Sequence, residues 1–480
     1  MVTSWVIRLA ALAVIALHLV AGHLPEEAAW SVWPYAALPV GVAWLGAAMV
    51  ASLALPPVNV MVGRWVRRLW AALPGKNHPR IWFAAVAVAT AIPFWLFRIG
   101  HLRWGDARFI VQALSYVGSD RPVWTIYNWQ SPLTIFTHAQ VWLFLNPSPG
   151  IGVGTLYALS SVLSGVGFVY VLFLLADLLG RDALEKAVVF GLVITTGSIQ
   201  LFFGYVENYT MMSLGLMLTL YLGVRYLRGR ISLVWPSLAL AVTNAFHPST
   251  LVLWPAVGYL AWYGTHRHPS GQTRASEWLK LVLPPILIFA GLSLLMITGG
   301  HGPAAMLTDD RPGGADGIPF VPLFRVATEW QRYTMFSPAH LLDWANEHFL
   351  ISPFGLFLLL LALIAFLVRR PSKKPNRDSL QSPPSPTEEQ GITWFLSLAS
   401  LAYLLLTFVW NPDYGGRQDW DLFAPSAFVY TTLAAYLLIR QLMNHRQSPS
   451  GERALSAIAQ LLIATSALHT GAWIYYNTIP

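Results

Sequence analysis

The chain has 480 residues, 55% of them hydrophobic and only 11% charged, whereas a soluble domain carries about 25% charged residues. Cysteine is absent, which excludes disulfides, thiolate metal sites and thiol catalysis. The formal charge of +8 is read as a marker of membrane orientation, with membrane lipids as partners and no nucleic acid.

Long apolar runs account for the missing charge. Trp5–Ala21, Pro34–Leu55, Ile81–Leu96 and Ile151–Leu179 can each cross a hydrocarbon core that needs about 20 apolar residues. The first resembles a signal peptide but is read as a retained helix, because no small-residue cleavage site precedes a soluble domain. Further spans are expected near Ala187–Phe203, Tyr209–Leu227, Ile231–Phe246, Leu251–Tyr263, Leu279–Ile297, Pro353–Val368, Ile392–Val409, Ala424–Leu442 and Leu455–Tyr475. The segment Pro132–Leu145 carries Thr134, Thr137, His138 and Gln140, and is expected to be interfacial or re-entrant. The fold class is therefore an all-α polytopic transmembrane bundle of about 13 spans.

Basic residues fall in alternate loops: Pro56–Arg80, Arg181–Lys186, Arg225–Arg230, His266–Lys280, Arg369–Arg377 and Arg440–Arg453. The positive-inside rule places these loops and the N-terminus in the cytoplasm of a cell that carries the protein in its inner membrane. Residues 1–80 then form two helices and a basic loop. Residues 81–369 form the main body, with outer loops over 99–150 and 299–351. The Pro/Ser-rich stretch 370–391 reads as a disordered linker. Residues 392–480 form the last helices, with an outer loop over 411–423. No internal repeat is visible.

The acids gather in the outward loops, in five segments. In the first, Arg103-Trp104-Gly105-Asp106-Ala107-Arg108 precedes an amphipathic run, Phe109–Val117. Asp106 is either a general base for a hydroxyl acceptor or a helix N-cap, and the two roles can coexist. Arg103 and Arg108 flank it as candidate substrate ligands. In the second, Glu207 lies in the turn Phe203–Tyr209, where it either binds a ligand or is a solvated cap. Asn208-Tyr209-Thr210 matches a glycosylation sequon, but it lies close to the membrane. The third holds His247 in His247-Pro248, either a cap and helix break or a phosphate-binding, proton-shuttling group. The fourth, Gly299–Ile351, contains Asp309-Asp310, which could hold a divalent cation such as Mg or Mn through oxygen ligands. Its Trp330, Tyr333, Phe336 and Trp344 also suit a loop resting on the bilayer. The fifth, Trp410–Asp421, is the densest in polar groups. Gly415 and Gly416 permit close approach to a ligand, Arg417 offers a fork for phosphate, and Asp419 and Asp421 position it or bind an acceptor.

The many-helix body, the Gly105-Asp106 acid soon after a span, the amphipathic helix that follows and the long later outer loop resemble the GT-C superfamily of membrane glycosyltransferases. The dolichyl-phosphate-mannose protein mannosyltransferases and the bacterial aminoarabinose transferases belong to it. The resemblance covers most of Ile81–Ile351. It implies a polyprenyl-phosphate-linked sugar as donor, a hydroxyl acceptor on lipid, glycan or protein, and Asp106 as the catalytic base on the non-cytoplasmic face. Two helices precede the span that matches the family's first, and Asp106 lacks the acidic neighbour that many members show. The alternatives are a transporter or flippase, which calls for ionisable groups at mid-membrane depth, and a scaffold, in which the five segments would not meet.

Overall fold

The computed structural model describes residues 2–72, 79–115, 123–145, 151–267, 271–308, 310, 317–368, 387–443 and 449–479. Residues 370–386 of the expected linker lie outside these, as does Asp309, whereas the linker's last residues are ordered, with Thr387 capping the helix that starts at Glu388. The first helices are α1 (Val2–Leu19), α2 (Val40–Ser52), α3 (Pro56–Ala72), α4 (Pro79–Ala89), α5 (Ala91–Leu96) and α6 (Ala107–Ser115). Next come α7 (Pro132–Leu145), α8 (Val153–Leu179), α9 (Ala183–Ile194), α10 (Tyr209–Leu227), α11 (Val234–Phe246) and α12 (Trp254–Arg267). The last are α13 (Gly271–Thr298), α14 (Pro338–Ile351), α15 (Gly355–Val368), α16 (Glu388–Val409), α17 (Trp420–Leu437) and α18 (Pro449–Thr478). Among the described residues the extended pairing is a single antiparallel bridge, Phe320 with Trp410.

The protein is an all-helical, polytopic membrane protein. By length and composition, seven helices among the described residues can cross a bilayer, or nine if two bent pairs each count as one span. The pairs are α2 with the first part of α3, bent by 91°, and α14 with α15, bent by 102°. Several segments expected to span form shorter helices, α9, α11 and α12 among them. The expected interfacial segment is a helix, α7, with the bounds read from the sequence.

Two expectations need correcting. The basic stretch Pro56–Arg80 was expected as a loop, yet most of its first part is helix α3. Arg64 and Arg68 lie on one exposed side of it, four residues apart and so stacked on one face. The loop Gly299–Ile351 ends in a full helix, α14. Ser337 caps it by accepting from the His340 N–H, and Pro338 occupies its first turn.

Helix α17 sits at the centre, with nearly all of its residues buried. Apolar on every side, it can only be a core element. It packs against α9, α10, α14, α15 and α16, and Phe168 of α8 meets Phe202 and Phe428 at the junction. Its N-terminal end, Asp419-Trp420-Asp421, is therefore held rigidly by the core.

Candidate active site

The site is assembled from loops that sequence separates by hundreds of residues. Gly105 fixes its geometry. It adopts φ +52°, a left-handed conformation that glycine reaches without steric cost. A Cβ there would lie 2.7 Å from Glu207 Oε1 and 2.8 Å from Asp421 Oδ2. The Gly105 N–H donates to the Gln418 carbonyl at 2.9 Å. The loop before α6 is thus pinned between the turn before α10 and the N-terminus of α17.

The pinning brings four acids together. The Asp106 N–H donates to Glu207 Oε1. The Tyr414 hydroxyl donates to Asp106 Oδ1 at 3.3 Å, and the Tyr414 N–H to Asp419 Oδ2 at 2.8 Å. Glu207, Asp419 and Asp421 are buried, whereas Asp106 stays exposed at the mouth. Asp106 precedes α6 and gives its carbonyl to the Ile110 N–H at 2.9 Å, so it opens that helix and also reaches the site.

Helix α14 adds a second pair. The Gly416 N–H donates to Asp343 Oδ2 at 2.9 Å. A Cβ on Gly416 would meet that oxygen at 2.9 Å and Glu347 Oε2 at 3.1 Å. Asp343 also accepts from the Tyr333 hydroxyl at 3.0 Å and Trp30 Nε1 at 3.1 Å. The closeness that the two glycines provide is therefore to α14 and to the Arg332 side chain, which a Cβ on Gly415 would meet at 3.2 Å. Asp343 and Glu347 did not stand out in the sequence because a loop has no face. As residues i and i+4 of a helix they share one.

The electrostatics are lopsided. Burial, then Asp421 and Asp106, pushes the Glu207 carboxyl well above the usual range. Burial and Asp421 do the same to Asp419. Desolvation by the surrounding loops also raises Asp106, opposed by the Tyr414 hydrogen bond. The buried Tyr205 hydroxyl lies beside both Asp421 and Glu207, and Glu347 Oε1 is buried without a hydrogen-bond partner. Such an unmet group is costly in a purely structural core.

The remaining expected residues divide. Arg417 forms an ion pair with Glu26, so its fork is engaged at the rim. Arg103 and Arg108 flank Asp106 and are exposed. His247 accepts from the Ser249 N–H, as a cap should, and burial lowers its pKa to about 4. Its ring nevertheless lies 5.0 Å from that of Tyr209, which is close enough to Asp421 and Glu207 to feel their charge. Asp310 is held elsewhere, accepting from His301 Nε2 at 2.6 Å and the Trp129 N–H at 2.8 Å. The aromatic loop residues also turn inward in part, for Trp344 Nε1 donates to Thr407 at 3.2 Å, while Phe336 is exposed. Among the described residues no three His, Asp or Glu side chains are placed to hold a metal together.

No protein-family model matches the chain, and no curated protein matches it. Among solved structures it is similar to ArnT from Cupriavidus metallidurans bound to undecaprenyl phosphate, with a TM-score of 0.47 and 12% identity over 83% of this chain and 78% of that one. It is also similar to the Archaeoglobus fulgidus oligosaccharyltransferase tethered with an acceptor peptide, with a TM-score of 0.44 and 13% identity over 84% of this chain and 56% of that one.

Proposed function

We propose that the protein is a membrane glycosyltransferase that moves a sugar from a polyprenyl-phosphate donor to a hydroxyl acceptor, on lipid, glycan or protein, at the non-cytoplasmic face. The observation that carries this reading is the meeting of Asp106, Glu207, Asp419 and Asp421 from three distant segments, with only Asp106 open to the surface. A transferase needs one reachable base beside a rigid, water-poor wall.

In this reading the acceptor hydroxyl approaches Asp106. Its oxygen attacks the anomeric carbon while its proton passes to the Asp106 carboxylate. The bond from that carbon to the donor phosphate breaks, and the phosphate leaves with the electron pair. Glu207 orients Asp106 through the backbone, and Tyr414 orients its carboxylate. Arg332, Arg103 and Arg108 are the cations on the rim that would receive the leaving phosphate, since Arg417 is already paired. The buried Asp419 and Asp421 sit at the α17 N-terminus, where the helix dipole favours negative charge.

A second form of the reading adds a divalent cation. The closeness of the Asp421 and Asp106 carboxylates favours it, because Mg²⁺ is commonly held by one or two carboxylates together with substrate phosphate. Asp106 and Asp421 would hold the cation, and it would supply positive charge to that phosphate. Loss of activity on chelation, restored by Mg²⁺ or Mn²⁺, selects this form. Transport or flipping is the competing function.

The test is to follow labelled sugar from a panel of polyprenyl-phosphate donors into lipid, glycan and protein fractions, in membranes with and without the protein. Protein-dependent transfer that disappears in Asp106→Asn supports the proposal. No transfer from any donor, together with protein-dependent movement of the donor across vesicles, overturns it in favour of flipping.

A further inference from the structure

A second site lies at the opposite end of the bundle. Tyr157, close enough to Glu207 to feel its charge, and Leu178, on the wall of this second site, are both on α8. They are 21 residues apart in the sequence, which at the helical rise is roughly 30 Å, about one hydrocarbon thickness. Here the start of α4, the end of α8 and the end of α10 enclose a cavity of ≈ 430 Å³.

Three arginines line it: Arg80, Arg225 and Arg230. Among the described residues none of the three has a carboxylate partner. Arg225 lies over the Tyr221 ring at 5.6 Å, and the Arg230 N–H donates to the Arg225 carbonyl at 3.0 Å, so the two are held side by side. The acid on the wall, Asp177, is neutralised by Lys186 at 2.6 Å. The cavity thus presents net positive charge to whatever enters.

Its lower wall is apolar. Phe83 stacks on Phe173 with ring centroids 4.9 Å apart, sealing α4 against α8. Outward from that seam α4 shows Ile81, Val86 and Val88 to the surroundings, and only 11% of its span is buried. A basic cavity beside an exposed apolar helix face matches an amphiphile better than a free ion.

We propose that this cavity binds the phosphate of an anionic membrane phospholipid from the leaflet opposite the carboxylate site, with an acyl chain along the α4–α8 seam. Arg80, Arg225 and Arg230 would share the phosphate oxygens, as guanidinium groups do wherever anionic oxygens are recognised. This site stands independently of the transferase reading.

The test uses the full chain in nanodiscs or detergent, with bound lipid counted by native mass spectrometry. The probes are phosphatidylglycerol, phosphatidylcholine and inorganic phosphate. One phosphatidylglycerol is expected to bind about tenfold to a hundredfold more tightly than phosphatidylcholine. The preference is expected to fall in Arg80→Gln and to vanish in the combined Arg80→Gln, Arg225→Gln, Arg230→Gln variant. Equal binding of the two lipids by the unaltered chain would overturn the proposal, and needs no variant to fold. So would an unchanged preference in Arg80→Gln, or displacement of the lipid by millimolar inorganic phosphate.

Discussion

The two ends of the bundle treat acids in opposite ways. At the end that carries the basic loops, five acids each have a cation, and Asp182 caps α9 by accepting from the Glu185 N–H. Glu185 pairs with Arg440, Asp177 with Lys186, Glu277 with Lys280, Glu388 with Arg228 and Glu389 with Arg181. At the other end Glu207, Asp343, Glu347, Asp419 and Asp421 are crowded together, and none of them has a basic partner among the described residues. Their contacts are tyrosine hydroxyls, an indole and backbone N–H groups. A charge-balanced network is what folding alone selects. A concentrated imbalance costs stability, and it persists where function uses it.

The comparison can be broken most sharply by substitutions at the two ends. Asp106→Asn is expected to lower transfer by about 10²- to 10⁴-fold without lowering the melting temperature, because it removes a charge that desolvation disfavours. Gly105→Ala should abolish activity comparably, since its Cβ would collide with Glu207 and Asp421; initial-rate assays beside a thermal melt would check both. Arg440→Ala should show the reverse pattern. Removing one partner of a buried pair costs about 3–5 kcal/mol, and Glu185 would be left stranded. The expected result is a much lower melting temperature in detergent, with activity per folded molecule retained.

Smaller effects separate the acids from one another. Glu207→Gln keeps an oxygen for the Asp106 N–H and removes a charge that burial and Asp421 disfavour. It should therefore raise the melting temperature, unlike any charge removal at the basic end. The pH dependence follows the same sign. Glu207, Asp419 and Asp106 have folded pKa values above their ordinary ones, so between the unfolded and folded values the native state binds more protons. Their contribution to stability is greatest below the unfolded pKa, near 4, and falls as the pH rises through the folded values. Melting temperature against pH should accordingly decline towards alkaline conditions, and Glu207→Gln should flatten the decline. Activity should move the other way, rising with pH as Asp106 loses its proton. The smallest expected change is at Arg417. Arg417→Ala frees only Glu26 at the rim, and transfer should fall no more than about threefold.

Much of the architecture was legible because membrane helices announce themselves by composition. The bounds of α7 matched a segment too polar and short to cross, and the starts of α10 and α15 fell within two residues of those expected. Helix α14 was missed because its two acids and its polar residues interrupt an apolar run, and its position after a long polar stretch made it look like loop. Helix α3 was missed because positive charge was taken as a sign of loop. The site itself was half legible. Asp106, Glu207, Asp419 and Asp421 were all singled out, but their meeting was not, because the contacts that join them span 101 residues from Asp106 to Glu207 and 308 from Asp106 to Tyr414. Local pattern carries no information at that separation. The same limit explains Arg417 and Asp310. Each looked free in sequence, and each is met by a distant partner, Glu26 and Trp129 respectively.

The central claim is that Asp106 is the working member of an uncompensated carboxylate cluster. The most direct test is single-turnover transfer by the purified protein and by Asp106→Asn, followed from pH 5 to 9. The account predicts an acidic limb in the unaltered protein, set above the ordinary carboxylate range, and a residual rate in Asp106→Asn that is at least about 10²-fold lower and has lost that limb. An Asp106→Asn protein with a normal rate and the same acidic limb would contradict it.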